Sequence, residues 1–413
     1  GGLMPAAEFG SLPFAEQIEA MREKVAIPTN TWSDVYGAEN DQAFMVAGAS
    51  RQAIVEDFQR SIQTMIEEGK TLADFRKDFD QIVERHGWAY KGSRSWRTRV
   101  IYDTNLRQSY AAGRERQMED PALRRLRPFG LYRHGGSENP RSTHLANDGR
   151  VVPLDDPWWD VWTPQNGYGC SCKKYMISRR QAEREGYTVS ERGPEIEYVE
   201  STIGENGLNP RTVRVPKGID PGFDHRPGSG RARGITPRPT GQPASSSGTV
   251  TPARRAQDAM PNYREATAEL LEAGQPPERY VDAFLETFGT RRGGETHRFT
   301  DAVGESLPIS EDLFRDGRGG WSLPSDGQNL NALARTLREP DEIWMALETS
   351  EGERPRLRRR YLARFALKGG EEGLFIVDWG RNGWTGQRLD NAAALEARRQ
   401  GVRLYRRGDE ETD

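Results

Sequence analysis

The chain has 413 residues, of which 35% are hydrophobic and 29% charged, with a formal net charge of -3 and a mean hydropathy of -0.83. Such a length holds two or three domains at about 100–200 residues each, and so polar a balance leaves part of the chain for linker or extended surface. Two cysteines exclude the disulfide framework of a small secreted scaffold, and no apolar run approaches the ~20 residues of a membrane helix. The opening GGLMPAAEFGS has neither the basic region nor the apolar core of a signal peptide, and no initiator Met. A processed, tagged or trimmed chain, working in a reducing compartment or inside a particle, is expected.

The first 120 residues read as helices. Pro13 suits a first helical position, with Phe14, Ile18 and Met21 following on one face. An amphipathic stretch runs from Asp41 to Lys70. Thr71 and Asp74 have the spacing of a capping box, Phe75, Phe79, Ile82 and Val83 repeat at helical spacing, and Gly87 stops the run. The next helix spans Arg94 to Met118 and carries Arg94, Arg97, Arg99, Arg107, Arg114 and Arg116. These arginines suit DNA phosphates or an acidic protein face. The alternative is a solvated face in which Glu115 and Glu119 offset Arg114 and Arg116.

From Leu131 the period shortens. LYRHGGSENPRSTH and GRVVPL read as short strands joined by turns, a short helix covers Ser178 to about Glu185, and GIDPGFDHRPG at 218–228 is loop-like. Residues 226–254 are rich in Gly, Pro, Ser and Arg and cannot bury a core. Beyond them Ala256 to Thr287 reads as helical and Leu330 to Leu337 as a short helix. Strands are expected at 342–348, 360–367, 373–379 and 402–406, with a helix at about Asp390–Arg399 before the last. Helices followed by antiparallel strands make a small α+β domain.

Both cysteines, Cys170 and Cys172, fall in one segment, behind Trp158, Trp159 and Trp162. Residues i and i+2 of an extended segment face the same way, so both sulfurs point to one place. A disulfide across one intervening residue would be strained. Two thiolates with His144 nearby suit zinc, with Asp148, Asp156 or His134 as a fourth ligand. The other reading is two small buried side chains in a Gly-rich turn, with His144 as a loop-fixing hydrogen bonder. Spacing leaves both open.

The segments TRVIYDTNLRQSYAAGRERQM (98–118), HGGSENPRSTHLANDGRVVPLDDPWW (134–159) and PQNGYGCSCKKYMIS (164–178) together resemble the phage Mu F-like head morphogenesis family. The likeness covers roughly residues 11–228. It implies a minor head protein of a tailed phage, associated with portal, capsid and scaffold proteins and needed for head assembly; packaged DNA is a further expected contact, through the arginines of 94–118, and no membrane contact is expected.

The second half carries a dense basic run, ERPRLRRRYLAR (353–364). On a strand, Arg358, Arg360, Leu362 and Arg364 share one face and Arg359, Tyr361 and Ala363 the other. Aligned arginines with Trp344, Trp379, Trp384 and Tyr405 to stack suit RNA. The alternative is an edge strand blunted by charge, with its aromatics in the core. ISEDLFRD (309–316), LREPDEIWMAL (337–347), RRRYLARFAL (358–367), GLFIVDW (373–379), GWTGQRL (383–389) and RRQGVRLY (398–405) resemble a phage-borne nuclease family of the barnase/EndoU/colicin/RelE-like group. That resemblance implies a barnase-like, metal-independent ribonuclease acting as a packaged toxin, with host RNA as substrate and an immunity protein as partner. In such a reaction a base takes the 2′-hydroxyl proton, a cation steadies the phosphorane and an acid protonates the leaving oxygen. Arg360 and Arg399 are expected at the phosphate, Thr385 as substrate positioner, Tyr405 as stacker or proton donor, and His297 as base.

The expected fold class is α+β: a helical region at 1–120, a small α+β module at 121–228, a linker at 229–255, a helical connector at 256–295 and a nuclease-like domain at 296–413. The protein is expected in the phage head and, during assembly or after delivery, in the host cytoplasm. The rival reading is a structural virion protein whose second domain only binds nucleic acid or capsid.

Overall fold

In the computed structural model the chain forms two compact units, 1–231 and 232–413. The structure describes residues 14–205, 210–231, 236–240, 256, 258–262, 264, 267–348, 356–381 and 383–409. Pro13 lies outside them, as do 241–255 of the expected linker. The α+β class expected from sequence is observed.

Unit 1 opens with α1 (Ala15–Arg22), β1 (Val25–Ala26), β2 (Ala43–Phe44), α2 (Gln52–Glu67), α3 (Leu72–His86) and α4 (Arg94–Met118). The helical face of α3 drives Phe75, Phe79 and Ile82 into a core with Phe58, Ile62, Trp88 and Ile101. Both halves of the Thr71/Asp74 capping box are made, and Gly87, left-handed at φ 57°, ends the helix. The amphipathic stretch expected from Asp41 becomes helical only at Gln52, since residues 42–51 form β2 and turns.

The arginines of α4 correct the sequence expectation. Arg116 pairs with Glu19 and Glu23 near α1, Arg94 with Asp80 of α3, and Arg97 is buried against the Ala47 carbonyl and over Trp88. Glu115 does not offset its helical neighbours; it is buried in a pair with Lys174, at 2.9 Å. These side chains tie α4 to the rest of its own unit, which removes them from a continuous DNA-facing stripe.

The unit continues with α5 (Pro121–Leu126), β3 (Phe129–Arg133), α6 (Ser142–Leu145), β4 (Val151–Pro153), α7 (Trp159–Trp162), β5 (Lys173–Ile177), α8 (Arg179–Arg184), β6 (Tyr198–Ile203) and β7 (Arg211–Pro216). β3 is the centre of a three-stranded sheet between β4 and β5, and β6 pairs with β7. The STH stretch read as strand is the helical turn α6, whose His144 is buried.

In unit 2, β8 (Thr267–Ala268), α9 (Pro277–Thr287), β9 (His297–Thr300) and β10 (Ser306–Ile309) precede α10 (Leu330–Arg338). Then come β11 (Glu342–Glu348), β12 (Arg356–Leu367), β13 (Glu372–Gly380), β14 (Gly383–Leu389), α11 (Ala392–Glu396) and β15 (Val402–Arg406). The sheet order is β14-β13-β12-β11-β15, all antiparallel, with β8 parallel to the end of β12. One face carries the main core with Phe284 of α9, Leu333 of α10 and Trp384. The other packs Trp344, Leu362 and Ile376 against Met260 and Leu395.

Three expectations change here. The helix expected from Ala256 begins only at Pro277, and the described residues before it hold β8 and turns. β14 was not among the expected strands. β12 is interior, so the edge-strand alternative is overturned. Residues 238–240 of the expected linker lie along β14, with Trp384 N–H donating to the Arg238 carbonyl at 3.0 Å and Thr240 N–H to the Trp384 carbonyl at 2.9 Å.

Candidate functional site

Two clusters of chemically capable side chains stand out, one in each unit. In unit 1, α6 presents His144 to the loop that leads into β5, where Cys170 and Cys172 face the same side. Both are free thiols and both are buried, so no disulfide forms. Cys170 Sγ lies 3.7 Å and Cys172 Sγ 3.8 Å from His144 Nδ1, and the three ligand atoms are within 4.8 Å of one another. His144 Nε2 lies 2.8 Å from the Gly218 carbonyl. A carbonyl only accepts, so Nε2 carries the proton and Nδ1 turns its lone pair on the sulfurs.

Glycines bring these pieces together. Gly218 sits at φ 95°, and a Cβ there would meet Thr143 Oγ1 at 2.3 Å, so only glycine lets its carbonyl reach His144. A Cβ on Gly135 would strike Ser171 Oγ at 2.1 Å, between the two cysteines. The wall is apolar: Tyr132, Trp158 and Trp162 belong to the same cluster as the sulfurs. The Cys172 thiol is lowered, through a hydrogen bond from Cys170 and against burial, with Tyr132 adding to it. Cys170, as donor in that bond and buried, is raised.

The expected fourth ligands do not join. Asp148 accepts from the His134 backbone at 2.9 Å, His134 Nδ1 accepts from Gly136, and Asp156 accepts from Trp158 and Gly193. Among the described residues the cluster is His144, Cys170 and Cys172 alone.

In unit 2, one cross-strand row holds Thr385, Asp378, Arg360, Trp344 and Arg403 on β14, β13, β12, β11 and β15. Residues opposite one another in a sheet share a face, so the row is one stripe, polar but for Trp344. Arg360 bonds both oxygens of Asp378, at 2.8 and 3.2 Å, and donates to the Arg398 carbonyl at 3.3 Å. Arg399 bonds both oxygens of Glu342, at 2.7 and 2.8 Å, and reaches Glu396 at 2.9 Å. Both guanidiniums are buried. Burial works against the charge of Arg399, but the Glu342 and Glu396 hydrogen bonds raise its pKa overall.

The structure thus brings Arg360, Thr385 and Arg399 to one sheet face. It places Tyr405 opposite Ile343, half-buried beside the core on the other face, and His297 exposed on the β9–β10 hairpin. The stacking expectation for the tryptophans is corrected: Trp379 and Trp384 lie in the core, and buried Trp344 donates its indole N–H to Glu342 at 2.8 Å.

The carboxylates were missed from sequence. Asp301, just after β9, accepts from Arg359 at 2.9 Å and from the Tyr361 hydroxyl at 2.8 Å, and burial pushes that phenol well up. Asp341 holds Arg407 at 2.7 Å and the Arg364 backbone at 2.7 Å. For Asp378 and Glu342 the available signal was a carboxylate near the end of GLFIVDW and at the start of EIWMALE, two otherwise apolar strands.

Comparison with known proteins places both units. Residues 56–175 match the family model of "Phage Mu protein F like protein", and residues 283–406 that of "phage-Barnase-EndoU-ColicinE5/D-RelE like nuclease2". "Putative capsid assembly protein F" of Escherichia phage Mu is 26% identical over 249 residues, covering 53% of this chain and 55% of that protein. "Mu-like prophage FluMu F protein" of Haemophilus influenzae is 25% identical over 187 residues, covering 43% and 44%. The chain spans about half the length of these curated relatives. No solved structure matches it. One segment of the chain thus matches the Phage Mu protein F like family and another a phage-borne nuclease-like family, joined in a single polypeptide.

Proposed function

We propose that this chain is a minor head protein of a tailed bacteriophage, acting in head morphogenesis at the portal or inner capsid, and that its second unit is a tethered, metal-independent ribonuclease-like effector. The observation that carries the reading is the joining of a Mu F-like segment and a nuclease-like segment in two units, each with its own hydrophobic core. The named relative from phage Mu supports the head role. The partners are then portal, capsid and scaffold proteins, with packaged DNA nearby, host RNA as substrate and an immunity protein as inhibitor. The location is the virion, and the host cytoplasm before and after it. No helix among the described residues is long and apolar enough to cross a membrane.

In this reading Arg360 and Arg399 hold the scissile phosphate, Thr385 positions the substrate, Tyr405 stacks or gives a proton, and His297 is the base. The shared face of Arg360, Arg399 and Thr385 supports the first part. The distance of His297 and Tyr405 from that face requires the substrate to reach around the sheet edge. A second reading is favoured by the buried carboxylate pairs: both arginines already have anionic partners, as befits a catalytically inactive module that binds nucleic acid or capsid.

The deciding experiment is RNA cleavage by the full chain in EDTA, beside His297→Ala and the Arg360→Ala/Arg399→Ala pair, with circular dichroism on each. Cleavage by the wild type that folded variants lose supports the effector. Folded wild type that binds RNA in a salt-sensitive way and cleaves none leaves the binding module.

A further inference from the structure

Nothing in the head or nuclease reading uses the buried His144, Cys170 and Cys172. We propose that these three residues form a binding site for a thiophilic divalent cation of the zinc class, which staples α6 to the loop before β5.

The distances fit. Zn–S bonds of about 2.3 Å and Zn–N bonds of about 2.0–2.1 Å at tetrahedral angles put sulfur and nitrogen about 3.6 Å apart. The observed separations are 3.7 and 3.8 Å. The lone pairs fit as well. A neutral imidazole with its proton on Nε2 offers one acceptor, yet two sulfurs converge on it. Hydrogen bonding can tie one thiol to the imidazole and the other only to its neighbouring sulfur, whereas a single cation engages all three ligand atoms at once.

The surroundings agree with a metal-binding histidine. Its remote N–H is held by a backbone carbonyl, that of Gly218, which fixes the tautomer and aims the ring. Charge balances too: two thiolates and a neutral imidazole neutralise a divalent cation, so the complex suits an apolar pocket walled by tryptophans. The Tyr132 side chain shares the same buried cluster, its hydroxyl donating to Asn166 at 3.1 Å, and a water would complete a four-coordinate shell. Soft sulfur ligands select zinc over magnesium or calcium.

Both sulfurs bind as thiolates, so whatever thiol protons they still hold pass to solvent as the two metal–sulfur bonds form, with no change of oxidation state.

The test uses the full chain, and its cysteine content makes the readout unambiguous: these are the only two thiols present. Protein purified without chelator is assayed for zinc, stripped, and titrated with cobalt(II) alone. About one zinc per chain is expected, together with a thiolate-to-cobalt charge-transfer band and the intense visible bands of tetrahedral cobalt. Such a band can arise only from Cys170 and Cys172. Cys170→Ser/Cys172→Ser should lose the band and its zinc, while His225→Asn, outside the cluster, should keep both. Stripped wild type that is folded and shows no thiolate–cobalt band would overturn the proposal. So would a folded double-serine variant that still holds stoichiometric zinc. Should the serine variant fail to fold, the wild-type cobalt spectrum decides alone.

Discussion

Glu342→Ala is the sharpest perturbation of the second unit. The Glu342 and Arg399 side chains are 0% and 1% exposed, and Glu342 takes both N–H groups of Arg399 besides the Trp344 indole. Removing one member of a buried pair strands the other charge, a loss of about 3–5 kcal/mol. The remaining partners, Glu396 and Asp258, have side chains 53% and 44% exposed, so water screens them and they recover little. For a unit of this size the loss lowers the melting temperature by about 6–20 °C. Hydrogen exchange on β11 and β12, which reports on this unit alone, would follow it. Glu342→Leu/Arg399→Met, which removes both charges, should recover most of the loss. A single-variant loss below about 1 kcal/mol, the size of an exposed pair, would refute the reasoning.

Asp74 should titrate at about 2, because the Thr71 hydroxyl and backbone donate to its carboxylate. The folded value lies below the ordinary 3.8, so the support it gives α3 is present above 3.8 and lost as the pH falls toward 2. An NMR titration checks this, and Thr71→Val should return the midpoint toward the ordinary range. Chelation should lower the melting temperature of unit 1 and leave unit 2 unchanged, since only the first holds the proposed cation. At 100–1,000 times its dissociation constant the metal contributes about 2.7–4.1 kcal/mol. Gly218→Ala, strained at φ 95° and set against Thr143, should destabilise unit 1 by about 1–3 kcal/mol and weaken metal binding about 10–100-fold, read by urea unfolding and cobalt titration.

Local signals were legible where one element decides its own fate. The limits of α4 and the Thr71 cap follow from period and capping chemistry, because neither needs a distant partner. β14 was missed because Gly383 and Gly386 interrupt its apolar alternation, and the Gly386 position is filled by Leu333 of α10 instead. The helix expected from Ala256 failed for a local reason that helical composition masked: Pro261, Gly274 and Pro276 break the run. The pairing of Arg359 with Asp301 spans 58 residues and exists only once β12 lies beside the end of β9. The cysteine–histidine cluster was half visible. Its three ligands share one segment, but the Gly218 carbonyl that sets the histidine tautomer comes from 74 residues away.

The strap at 238–240 has a mechanical consequence. A pull arriving through the preceding residues meets unit 2 at its outermost long strand, where two backbone hydrogen bonds hold Arg238 and Thr240 to Trp384. Farther along, the described residues of 256–262 are tied to Arg399, Arg403, Arg406, Arg364 and Arg407 before the two-residue strand β8 joins the sheet. The two bonds of the strap, loaded one after another from its end, yield at a smaller force than a long strand sheared along its whole length. The leading end of unit 2 is therefore easy to peel as far as residue 240, and resistance rises where the arginines grip the described residues of 256–262.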